Sequence, residues 1–91
     1  MPSMREVCST NQFKKDLKLV LKQGRKAAKI QKVVEALQKG SPLAAKHRPH
    51  QLSGNWMPKL ECHIESDWLL IYEVTNEKVT LIRTGSHSEL F

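Results

Sequence analysis

Apolar positions recur along this chain with two different periods, and the change falls near its middle. In the first half Phe13, Leu17, Val20 and Leu21 follow helical spacing, with Lys14, Lys15, Lys18 and Lys22 mostly on the other faces. Ser9, Thr10 and Asn11 stand before this stripe as good N-caps, and Gly24 after it suits a left-handed end. A second stripe, Ile30, Val33, Val34 and Leu37, predicts a helix over about residues 26–39, stopped by Gly40 and the Ser41-Pro42 pair. Two amphipathic helices joined at a glycine make a helical hairpin whose apolar stripes need a cover. In the second half the period falls to two. Over residues 59–65, Leu60, Cys62 and Ile64 face one way and Glu61, His63 and Glu65 the other. Ser66-Asp67 reads as a tight turn. Residues 68–75 are apolar on both faces at their start, as in a central strand. Asn76-Glu77 then joins them to a returning strand over 78–83. Residues 4–8 predict a short opening strand with Met4 and Cys8 facing inward.

Residues 43–56 form a polar connector, where Pro49 and Gly54 favour loop. The pattern predicts an α+β fold. A small antiparallel sheet (a three-strand C-terminal meander plus the short N-terminal strand) carries the N-terminal helical hairpin on one face, all within a single domain over residues 1–91.

Charge narrows the partners. Among 91 residues, 15 Lys and Arg oppose 9 Asp and Glu, a net charge of +6, with an isoelectric point near 9.6. That balance favours a polyanion, either nucleic acid or an acidic protein. Much of it lies on the hairpin, where Lys14, Lys15, Lys18, Lys22, Arg25 and Lys26 read both as a solvated helix surface and as a docking face for phosphate backbone. Cys8 and Cys62 are the only cysteines, too few for a disulfide framework. No CxxC or HxxxH spacing suggests a zinc site, and His47 and His50 are separated by a proline. Without a signal peptide or a run of about 20 apolar residues, the expectation is a reduced cytoplasmic protein with no membrane association, metal or cofactor.

The candidate chemistry sits at the C-terminal end. Arg83, Gly85, His87 and Phe91 place a two-pronged phosphate donor, a hinge, an imidazole and a stacking ring within nine residues of the terminus. Antiparallel pairing carries His63 and the Asp67 turn toward the same edge, and His50 enters from the connector. Histidines titrate near neutrality, so two of them can serve as base and acid in transferring a phosphodiester to its own 2′-oxygen, with Arg83 stabilising the charged transition state. Taken singly, His63 also reads as a half-exposed strand residue, Asp67 as a turn former, and Trp68 as core. Arg83 alone reads as a cross-strand partner of Glu61, Glu65 or Glu73.

Three ordered blocks carry a resemblance. H-x-L-x-G-x-W from His50 to Trp56, H-x-x-x-D-W-x-L-I-Y from His63 to Tyr72, and R-x-G-x-H-x-x-L-F from Arg83 to Phe91 closely resemble the YafQ-type toxins of the RelE/ParE toxin–antitoxin superfamily. The resemblance implies a small antiparallel sheet with two helices on one side, and an mRNA endonuclease acting in the ribosomal A site beside ribosomal RNA. It also implies an acidic antitoxin as the cognate partner. Carried over residue by residue, His50, His63, Asp67, Arg83, His87 and Phe91 form the active site. His87 is the expected general acid, and the base is His50, or His63 with Asp67. Arg83 is expected to hold the scissile phosphate and Phe91 to orient the RNA, while Trp68 packs and in second place touches RNA. Two other classes compete: a non-enzymatic ParE-like toxin that binds gyrase, against which the histidine set speaks, and a plain basic nucleic-acid-binding module.

Overall fold

Thr10 fixes where the first helix begins. In the computed structural model, which describes residues 4–52, 54 and 59–91, its hydroxyl oxygen accepts the Phe13 N–H at 2.9 Å. The same hydroxyl donates to the Ile82 carbonyl at 2.8 Å. One side chain thus caps helix α1 (Asn11–Lys22) and ties it to the last strand. Helix α2 (Ala27–Lys39) ends at Gly40, the stop expected from sequence, whose φ of 72° makes it a left-handed cap.

A five-stranded sheet lies beneath the helices in the order β1-β5-β4-β3-β2, with β1 at Glu6–Ser9, β2 at His50–Gln51, β3 at Leu60–Glu65, β4 at Trp68–Val74 and β5 at Lys78–Gly85. The meander β3-β4-β5 is antiparallel as expected. The N-terminal strand joins β5 in parallel, which makes the sheet mixed. A fifth strand comes from the connector: His50 and Gln51 pair with β3, where only loop was expected. A short helix, α3 (His87–Leu90), closes the chain under a capping box in which Ser86 and Glu89 satisfy each other's backbone N–H groups.

Phe13, Val20, Ile30, Val33 and Leu37 from the helices bury against Cys62, Ile64, Trp68, Leu70, Tyr72, Val79 and Leu81. The opposite face carries a smaller cluster of Leu69, Ile71 and Leu90. Two inward expectations fail. Met4 is 55% exposed, because it precedes the first paired strand residue, and Leu21 is 38% exposed. The seam of α1 runs through Phe13, Asp16 and Val20, and Leu21 lies at its margin. Among the described residues no helix is long and apolar enough to cross a membrane. Ser53, Asn55 and Trp56 of the first motif lie outside the described residues.

Candidate active site

Strand register builds the site row by row, with the histidines on the face away from α1 and α2. His50 stands opposite Glu61, Glu61 opposite Ile71, and Ile71 opposite Arg83. In the next row His63 stands opposite Leu69, and Leu69 opposite Gly85. The row ends at a residue without a side chain for a packing reason. A Cβ at Gly85 would meet Glu89 Oε1 at 3.1 Å and Leu90 Cδ2 at 3.5 Å. The glycine lets α3 fold back over the sheet, and that turn carries His87 toward His63. Their rings meet edge to face with centroids 5.7 Å apart.

Asp67, in the β3–β4 turn, accepts from His87 twice through Oδ1, from the backbone N–H at 3.1 Å and from Nδ1 at 3.0 Å. Hydrogen bonds from the His87 side chain and backbone lower the Asp67 pKa, so it is an ionised acceptor. Nδ1 of His87 must then carry the hydrogen, and Nε2 is the atom left for chemistry. The expected pairing of Asp67 with His63 is therefore corrected: the turn gives its carboxylate to His87.

Glu61 is the residue that sequence reasoning undervalued. It is 4% exposed, with Oε1 3.2 Å from His50 Nε2 and 3.9 Å from His63 Nε2. His50 Nδ1 donates to the Arg48 carbonyl at 3.1 Å, so both of its ring nitrogens are engaged. Glu61, His63 and His87 each offer a ligand atom, all within 4.8 Å of one another, a donor set that suits a borderline-soft ion such as Zn²⁺ or Cu²⁺. Its signal in the sequence was the alternation that put Glu61 beside His63.

Arg83 departs from expectation. Its Nε and Nη2 donate to the two oxygens of Asp16 at 2.9 and 3.0 Å, and Asp16 also accepts the Thr84 N–H at 3.3 Å. The partner is thus a helix carboxylate, not Glu61, Glu65 or Glu73. The reason is topological: β1 covers β5 only as far as Leu81, and Asp16 takes the exposed edge beyond it. Burial pushes the Asp16 pKa up, but hydrogen bonds from Arg83, Gln12 and Thr84, with the Arg83 charge, outweigh it and leave the carboxyl lowered. An acidic residue inside the α1 seam was the available clue.

Trp68 is fully buried, with its indole N–H on Thr84 Oγ1 at 2.8 Å and the Arg25 guanidinium 5.7 Å over its ring. It packs in the core and presents no surface to solvent. Cys62 is equally buried, and burial, helped by the Glu61 charge, pushes its thiol up to about 12, so it stays protonated. Arg25 and Lys26 line an open cleft of about 580 Å³ together with Asp67 and Glu89. Lys14, Lys15, Lys18 and Lys22 are exposed on α1, in the layer beyond the sheet from the histidines. Phe91 follows α3 and is 56% exposed.

The family model for the bacterial toxin of type II toxin–antitoxin systems, YafQ, matches residues 5–91. The mRNA interferase toxin YafQ of Escherichia coli K12 is 34% identical over 88 residues, 96% of each chain. The fold is similar to the toxin of the E. coli DinJ–YafQ toxin–antitoxin complex, with a TM-score of 0.88 and 34% identity over 97% of this chain and 98% of that one. A metal-bound toxin from Helicobacter pylori has a TM-score of 0.90 and 39% identity over 97% of this chain and all of that one.

Proposed function

The chain belongs to the YafQ family of type II toxin–antitoxin toxins, and from that premise we propose that it is an mRNA interferase. It is an endoribonuclease that cuts transcripts in the ribosomal A site and so inhibits translation. The observation that carries the reading is the His63–His87 pair, with Asp67 behind one imidazole and Glu61 beside the other. Both histidines stand on the sheet face that the long helices leave open.

His63 takes the 2′-OH proton, because the other basic candidate, His50, has both ring nitrogens engaged. The 2′-oxygen attacks phosphorus, and His87, protonated at Nε2, gives its proton to the leaving 5′-oxygen as the P–O5′ bond breaks. The products are a 2′,3′-cyclic phosphate and a 5′-hydroxyl. Proton transfer falls to the imidazoles, so the steps need no metal. Asp67 holds His87 in the tautomer that frees Nε2. Arg83 keeps Nη1 beyond its bonds to Asp16 and aims it at the phosphate, and Phe91 orients the RNA. Arg25 and Lys26 line the mRNA path beside Asp67. The α1 lysines, in the opposite layer, suit ribosomal RNA instead. The cognate partner is an acidic antitoxin, which matches the net charge of +6, and the working compartment is the cytoplasm.

Induced expression in a bacterial host, with mRNA ends mapped by primer extension, tests the reading. Wild type should arrest growth with new in-frame cuts, and His87→Ala should do neither. Arrest with intact transcripts would overturn the nuclease and point to a binding target such as gyrase. Full cutting by His87→Ala would remove His87 as the acid.

A further inference from the structure

Arg48 is the only non-glycine among the described residues with a positive φ, at 44°, with ψ at 56°. The next residue is Pro49, which penalises helical backbone before it by steric clash. A long-chain residue in this conformation persists only where its surroundings impose it. Here they do. The Arg48 N–H donates to the Ala45 carbonyl at 3.1 Å, and the Arg48 carbonyl accepts from His50 Nδ1 at 3.1 Å. His47 Nδ1 donates to the His63 carbonyl at 2.6 Å. The last of these pins the connector to the strand beside the proposed base, where the β3–β4 register shifts.

The strained turn has a product. Lys46 and Arg48 line a cleft of about 430 Å³ that also contains His63 and Glu65. Its one acid is already neutralised, because Lys29 holds Glu65 at 2.8 Å. Among the described residues neither Lys46 nor Arg48 has an ion-pair partner. Arg83, by contrast, has two of its donor nitrogens on Asp16. This cleft and the Arg25–Lys26 cleft meet at the β3–β4 turn, where the first takes in Ser66 and the second Asp67, and the two share Glu65.

We propose that Arg48, with Lys46, binds a phosphodiester of the mRNA strand next to the one that is cut. Resting on the endonuclease reading, the inference names the substrate contact on the His63 side. The RNA passes from one basic cleft to the other across the two histidines. The left-handed backbone at Arg48 turns the connector so that its guanidinium faces that path.

Arg48→Gly, Arg48→Lys and the double variant Lys46→Ala/Arg48→Ala test it. Binding of a fully 2′-O-methylated single-stranded oligoribonucleotide is read by fluorescence anisotropy, with ribosome pelleting, cleavage kinetics and thermal unfolding alongside. Glycine accepts this conformation without strain, so Arg48→Gly should melt above wild type while binding the oligonucleotide about tenfold more weakly. Its salt dependence should lose about one unit of slope. Arg48→Lys should keep most of the affinity, whereas for Arg48→Gly KM should rise with kcat little changed. Unchanged oligonucleotide binding in the double variant overturns the inference. So does lost ribosome pelleting with oligonucleotide binding intact, which would assign the pair to ribosomal RNA. A wild type that leaves transcripts uncut overturns the nuclease reading and this inference with it, whereas normal cutting by wild type and Arg48→Gly alike overturns the inference alone.

Discussion

On the helix-covered face, five buried apolar side chains from α1 and α2 close over the apolar side of the sheet, and Cys62 and Trp68 have no exposed surface. On the other face, among the described residues, the buried cluster is smaller, Leu69, Ile71 and Leu90 with Leu52 and Ile82 against it, and Glu61, His63 and His87 stand beside it. Apolar area excluded from water stabilises the first face. The second has exchanged much of that area for imidazoles and carboxylates that hold one another in place. Gly85 is where the exchange is made, since a side chain there would crowd α3 and displace His87 from His63.

Substitutions should therefore separate stability from activity according to face. The largest effect is expected at His87, where alanine should lower cleavage by roughly 10²–10⁴-fold. Because the ring is exposed, the thermal midpoint should barely move in calorimetry. Leu70→Ala on the opposite face should do the reverse, costing about 2–5 kcal/mol in denaturant unfolding while molecules that remain folded cut normally. A stable, inactive Leu70→Ala would break the comparison.

Asp16→Asn probes the place where the faces meet, since Asp16 is a residue of the α1 seam that holds a residue of the active site. The pair is partly exposed, with the Arg83 side chain at 28%, so the cost should fall below that of a fully buried pair, about 2 kcal/mol. Its pH dependence gives a finer reading. The carboxyl pKa is lowered in the folded chain, so the stabilisation is complete above the ordinary carboxyl value of about 3.9 and fades as pH falls through the folded value. The stability gap between wild type and Asp16→Asn should thus be constant near neutrality and close below about pH 4. A gap that widened in acid would show that Asp16 does not act as a paired carboxylate.

Much of this was legible in the sequence where the cause is local. The stripe Ile30, Val33, Leu37 and the Gly40 stop fix α2, and alternation from Leu60 to Glu65 puts His63 and Glu61 on the face away from the core. What escaped is non-local. Two residues are too few for β2 to show a period, and nothing in residues 6–9 says that they pair with β5 in parallel. The Asp16–Arg83 pair joins residues 67 apart, and its only trace is a carboxylate in an apolar seam. The histidines could be named, but their partners could not. Asp67 serves His87 because α3 folds back over Gly85, a turn set by packing and by the Ser86–Glu89 cap. The αL backbone of Arg48, ahead of a proline and without a glycine, runs against its local preference and so had no local signal.

The central claim is that two imidazoles on the open face move the protons of a 2′-oxygen attack. The most direct measurement is the chemistry of the ends left in mRNA cut by the purified toxin in a translating extract. The account predicts a 2′,3′-cyclic phosphate, or the 3′-phosphate it opens to, upstream of the cut and a 5′-hydroxyl downstream. A 5′-phosphate with a free 3′-hydroxyl would mean that water attacked from the other side, and would contradict it.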